Sequence, residues 1–178
     1  MKAIHVTDVM SPYTDFSAIK PDVLYYASER GTRVHNLIQK KLQGKWVPPR
    51  AIADDVKNYI KSFELFQKSM ILETVFTEKT FISNVYGLTG TIDFGGYLKD
   101  RPKDFTLTDW KTPLVLQRTW KGQLSAYQLL ASEYKPKRIG SLQLDPKGGP
   151  GKMTWYEDSA EAWEAYLCAL TAYRFFKK

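Results

Sequence analysis

The order of periodicities along the chain predicts an α/β fold with a central mixed β-sheet flanked by helices. Three observations carry that prediction. Two long segments of helical spacing come first, a block of alternating and β-branched residues fills the middle, and helical spacing then returns before and after a last pair of strands. The 178 residues are read as one domain, residues 1–178, long enough to enclose a core, and the 43% hydrophobic content suits a soluble globular protein.

After an irregular start, residues 21–43 carry Val23, Leu24, Ala27, Val34, Ile38 and Leu42 at helical spacing. Gly31 interrupts this helix at a cost of about 1 kcal/mol relative to alanine, which predicts close approach by another backbone. His35, four residues on, falls on the same face. Pro48 and Pro49 break the chain, and residues 51–68 read as a second amphipathic helix. Residues 70–78 and 80–86, rich in β-branched and aromatic side chains, predict two strands. Residues 88–94 and 105–111 then predict an antiparallel central pair turned by the loop 99–104. Residues 117–134 return to helical period, with Trp120, Leu124, Tyr127, Ala131 and Tyr134 on one side and Gln123 facing the same way as Tyr127. Residues 139–144 and 153–156 predict a terminal hairpin, and Ser159 is expected to cap a last helix containing Trp163, Tyr166, Leu167, Leu170 and Tyr173.

The charge balance of 26 Lys and Arg against 19 Asp and Glu, +7 overall, favours contact with a polyanion. The single cysteine, Cys168, excludes a disulfide framework and a cysteine-bound metal or iron-sulfur cluster, and its apolar helical setting predicts core filler. No run approaches the ~20 apolar residues of a membrane span, and charges occupy the place of a signal peptide's apolar centre, so no membrane partner and a cytoplasmic location are expected. Gly148-Gly-Pro-Gly-Lys152 is not a P-loop. Pro146 stands where the first glycine belongs and Met153 where Ser or Thr belongs, so no ATP site is expected, only a basic turn.

The alternation of Phe105, Leu107, Asp109 and Lys111 places them on one strand face that begins apolar and ends charged, as a strand does on leaving a core. At that exit Asp109 can hold a divalent cation while Lys111 points into the same space, and the antiparallel pairing brings Asp93 near Asp109. Taken alone, an Asp-x-Lys is an ordinary hairpin with solvated charges. By residue type alone, His35 beside Val34 and Ile38 is a core or surface histidine, and Gln123 and Tyr127 are helix surface and core.

The chain carries, in order, Gly31-x-x-x-His35, Glu78, Gly90-Thr-Ile-Asp93, Asp109-Trp-Lys111 and Gln123-x-x-x-Tyr127. In this ordered set it resembles the RecB-like branch of the PD-(D/E)XK nucleases, which includes phage exonucleases and the mitochondrial genome maintenance exonuclease. The resemblance implies a restriction-endonuclease-like core and Mg²⁺- or Mn²⁺-dependent DNA cleavage. It implies His35, Asp93 and Asp109 as metal ligands, with the Trp110 carbonyl adding an oxygen. Glu78 matches the upstream acid, with Glu73 as the alternative. Lys111 matches the catalytic lysine, and Gln123 and Tyr127 the motif that supports site and substrate. Arg33, Arg118 and Lys121, beside these motifs, are expected at DNA phosphates. The iron-sulfur cluster of some relatives is absent. The expected partner is DNA, single- or double-stranded and with an end, met in recombination, repair or phage replication in a bacterial or phage-infected cell. A homo-oligomer or a recombination or replication partner fits a chain of this size. The alternatives are a structure-specific or restriction-type endonuclease and a non-catalytic DNA-binding protein of the same fold.

Overall fold

The strand-rich middle of the chain and the final hairpin join in one mixed sheet. The structure, a computed structural model, describes residues 3–157 and 159–177. Six strands are present among the described residues: β1 (Ile4–His5), β2 (Ile71–Ser83), β3 (Leu88–Leu98), β4 (Arg101–Lys111), β5 (Arg138–Gln143) and β6 (Lys152–Trp155). Their order is β1-β3-β4-β5-β6, with β2 along the other edge of β3. The pairs β2/β3, β3/β4 and β5/β6 are antiparallel, and β1/β3 and β4/β5 are parallel. The parallel β4/β5 pair needs a crossover, which α4 (Thr119–Leu130) supplies.

Helices cover both faces, because the central strands are apolar on both sides. On one face α2 (Pro21–Leu42) and α3 (Asp54–Met70) bury Val34, Ile38, Ile60 and Phe63 against Phe94, Trp110 and Leu142. On the other, α1 (Val6–Met10), α4 and α5 (Ala160–Phe176) bury Val9, Leu124, Tyr127 and Tyr166 against Leu88, Ile92 and Leu107. The α/β architecture with a helix-flanked mixed sheet is the one the sequence predicts.

Several elements differ from expectation. The irregular start holds β1 and α1, whose Val6 and Val9 are fully buried. A helix of five residues is too short to show a period and depends on tertiary packing. Residues expected as two strands form the single β2. The turn between β3 and β4 contracts to Lys99 and Asp100, because Pro102 lies where β4 has no partner from β5, whose pairing begins at Thr106, and the missing N–H is harmless there. The helix expected over residues 117–134 ends at Leu130 and continues as a 3₁₀ turn, Ser132–Tyr134. Ser159 occupies the N-cap of α5 without a side-chain capping bond. Cys168 is exposed rather than core filler. No helix among the described residues is long and apolar enough to cross a membrane.

The β3/β4 ladder ends at Phe94 opposite Thr108, and β3 meets β1 only at Leu88 and Thr89. Residues 90–93 of β3 therefore face a gap on that side, opened where β4 leaves the core.

Candidate active site

The site lies where two neighbouring strands change face at the same level. Phe76 and Phe81 are five apart and would point to opposite sides of a regular strand, yet their rings meet at 5.3 Å. The reversal falls at Glu78, a non-glycine residue in the left-handed region with φ 49°. Across the ladder, Ile92 and Phe94 flank Asp93 and, only two apart, enter opposite cores. The pairs Thr77/Phe94 and Lys79/Ile92 put Glu78 and Asp93 at one level. Both carboxylates reach His35, carried in by the middle of α2.

His35 Nδ1 lies 3.4 Å from Glu78 Oε1 and 3.4 Å from Asp93 Oδ1. Its Nε2 is 3.0 Å from the Trp110 carbonyl oxygen, and Asp93 Oδ2 accepts the Trp110 N–H at 2.7 Å. Because Nε2 faces an acceptor, the neutral ring carries its proton there and turns the Nδ1 lone pair toward two carboxylates. That arrangement calls for a positive charge, either a second proton or a cation. Burial opposes the charged imidazolium, but Asp93, by charge and hydrogen bond, and Glu78 outweigh it and hold His35 well above its ordinary value. Burial also raises Asp93, His35 pulls it down, Asp109 raises it further, and the result is about 6.

A second group lies beside the first. Asp109, 2% exposed, pairs through Oδ2 with the Lys111 ammonium. Its Oδ1 accepts from Gln123 Nε2 at 3.2 Å, and the same amide nitrogen donates to the Tyr127 hydroxyl at 3.0 Å. Lys111 Nζ donates to Gln123 Oε1 at 3.0 Å and lies 5.3 Å from the Trp120 ring centre. Burial, then Asp109 and Asp93, hold the Tyr127 phenol well above its ordinary value, so it stays a neutral hydroxyl. Gly90 makes room for that ring, since a Cβ there would sit 2.6 Å from Tyr127 Cε1.

The structure thus gathers His35, Glu78 and Asp93 into one group and Asp109, Lys111, Gln123 and Tyr127 into its neighbour. Glu73 pairs with Tyr97, far down the strand. The Trp110 carbonyl, expected as a metal ligand, lies 3.0 Å from His35 Nε2. Gly31 meets no backbone, since a Cβ there would touch only Thr112 Oγ1 at 3.6 Å. Arg33 is fork-paired to Asp55 on α3, at 3.0 and 2.5 Å. Lys121 lies 3.9 Å from Glu161, and Arg118 is exposed at the start of α4. Sequence reading missed three contributors. The Trp110 N–H was hidden because backbone groups leave no trace in residue types. Thr77, whose hydroxyl donates to the Asp93 carbonyl at 2.9 Å, and Lys79 read as ordinary strand residues.

The ligating atoms of His35, Glu78 and Asp93 lie within 4.8 Å of one another, and Glu78 Oε1 is buried with no hydrogen-bond partner. One imidazole with two carboxylates, and a third carboxylate in the adjoining group, is a donor set that fits a hard divalent cation.

No protein-family profile matches the sequence, and no curated protein resembles it in sequence. The likeness is to solved structures. The crystal structure of LHK-Exo in complex with dAMP superposes with a TM-score of 0.54 at 12% identity, covering 98% of this chain and 87% of that one. The crystal structure of SSO0001 superposes at 0.50 and 15% identity, over 97% of this chain and 76% of that one. At such identities the likeness is one of fold.

Proposed function

We propose that the protein is a metal-dependent deoxyribonuclease of the RecB-like PD-(D/E)XK type, acting as an exonuclease on DNA ends. The observation that carries this reading is the convergence of His35, Glu78 and Asp93 on one point, with two carboxylates facing one ring nitrogen, beside a lysine held by Asp109 and Gln123. The fold shared with LHK-Exo, a structure that holds a nucleotide, and the +7 charge support it.

His35, Asp93 and Glu78 would hold Mg²⁺ or Mn²⁺, with Asp109 adjacent. A bound ion supplies Lewis-acid neutralisation of phosphoryl charge and a more acidic water. Lys111 has three donors, of which Asp109 and Gln123 take two, so one remains to orient an attacking water or to meet charge developing on the phosphate. Gln123 fixes that geometry, since it bonds Asp109, Lys111 and Tyr127 at once. The Trp110 N–H holds Asp93 in the orientation that presents its other oxygen to the site.

The test is incubation of end-labelled linear and covalently closed circular DNA, single- and double-stranded, with Mg²⁺ or with chelator. Degradation of linear forms alone, dependent on metal, is expected. Cleavage of closed circles would make it an endonuclease, cleavage in full chelation would remove the metal, and binding without cleavage of any form would make it a DNA-binding module.

A further inference from the structure

We infer that Lys79 is a positioning residue: seated in a box of aromatic rings, it locks the strand reversal that aims Glu78 at the metal position. The inference rests on the metal-site reading above and extends it to a residue outside the site.

Glu78 sits in a backbone conformation that is unfavourable for a residue with a side chain, and such a conformation persists only when its surroundings over-determine it. The carboxylate's own contact is a loose one, since Oε1 faces the imidazole at 3.4 Å without a hydrogen bond. The constraint comes from the two neighbours. On one side the Thr77 hydroxyl donates to the Asp93 carbonyl at 2.9 Å. On the other, Lys79 Nζ donates to the Tyr134 hydroxyl at 2.7 Å and lies 3.6 Å from Glu133 Oε1.

The same ammonium stands 4.8 Å from the Phe81 ring centre, 5.0 Å from that of Tyr134 and 5.7 Å from that of Phe76. These rings also contact each other, Phe76 with Tyr134 at 5.1 Å and Phe81 with Tyr134 at 6.2 Å. Phe76 and Phe81 share one side of the sheet only because the chain reverses face between them. A cation over all three rings therefore favours the reversed strand over the regular one. With Lys79 held on the aromatic side, Glu78 is turned toward His35.

The test is Mn²⁺ affinity by calorimetry on the full chain, with Lys79→Met, Glu78→Gln, the double variant and Asp93→Asn as reference. Lys79→Met keeps the apolar stem and removes the charge and the hydrogen bond, and it should weaken Mn²⁺ binding roughly 3- to 10-fold. Glu78→Gln should weaken it more, and the double variant should bind like Glu78→Gln alone, because Lys79 acts through Glu78. Merely structural damage would instead add to the Glu78 loss. Unchanged affinity in Lys79→Met, additive losses, or unchanged affinity in Glu78→Gln each overturn the proposal. If Asp93→Asn also binds Mn²⁺ like the parent, the metal site itself falls, which is a different failure. Should Lys79→Met unfold, Tyr134→Phe removes only the acceptor of the lysine and should show the same non-additive loss on a smaller scale.

Discussion

The two adjoining polar groups of the site are built on opposite principles. Asp109 is neutralised from within, by the ammonium of Lys111 and the amide of Gln123, and its network is closed. The His35, Glu78 and Asp93 group is left short of positive charge: two carboxylates face one ring nitrogen, and the backbone beneath Glu78 is in an unfavourable conformation. A closed network positions a catalytic group, whereas an open one binds what it lacks. Each group can be broken separately, and the outcomes should differ in kind.

The largest effect is expected from Asp93→Asn. It keeps an oxygen that can accept the Trp110 N–H, so the fold should survive, and it removes a charge that burial disfavours, so the metal-free protein should melt no lower than the parent. Mn²⁺ binding and cleavage should both be lost. A variant that cuts DNA at the parental rate would show that this group is not the metal position.

Lys111→Ala should act on the other group. Cleavage should fall by roughly 10²-fold or more, the scale of one positioned proton-transfer or electrostatic group, while Mn²⁺ affinity stays within a few-fold. It should also cost stability, because it strands a buried carboxylate. Removing one partner of a buried pair costs about 3–5 kcal/mol, and Asp109→Asn introduced together with Lys111→Ala should restore much of that in urea unfolding. Parental turnover in Lys111→Ala would refute its catalytic assignment.

How much of this was legible differs between the groups for a physical reason. The Asp109 network is written in local periodicity: alternation along β4 puts Asp109 and Lys111 on one face, and the four-residue step on α4 puts Gln123 beside Tyr127. The open group depends on a strand reversal that no residue type announces, so β2 read as two strands with a break near Glu78. That break is the reversal itself. His35 and Asp93 were legible as members of an ordered motif set, but their meeting with Glu78 and the backbone of Trp110 is a tertiary result. The fold class was readable because long amphipathic segments dominate it, whereas β1 and α1, too short for any period, were not.

The glycines of the two motifs sharpen the contrast with a smaller effect. Gly90→Ala would drive a methyl to 2.6 Å from the Tyr127 ring, so it should cost about 1–3 kcal/mol as overpacking does, disturb the Gln123 network and lower turnover more than metal affinity. Gly31→Ala meets only Thr112 Oγ1 at 3.6 Å and, in a helix interior, should leave stability unchanged or raise it by up to about 1 kcal/mol. Thermal melts of the two variants decide it, and equal destabilisation would return Gly31 to the role of a close backbone contact.

The pH dependence of the metal-free fold isolates the open group. Asp93 titrates at about 6 in the folded protein against an ordinary 3.8, and His35 is held well above its ordinary 6.5. Both values are raised, so the folded state binds protons more tightly than the unfolded chain. The resulting stabilisation is present at low pH and is lost as pH rises, from about 4 through 6 for Asp93 and from 6.5 upward for His35. The melting temperature in chelator should therefore decline across this range, against the usual behaviour of a protein whose carboxylates are well paired. Saturating Mn²⁺ should stabilise more at pH 8 than at pH 5, because at low pH it must displace the proton that serves in its place. Asp93→Asn should flatten the decline. A melting temperature that rose with pH in chelator would show that Asp93 and His35 are not the proton-binding pair, and that the charge deficit assigned to this group is already met within the fold.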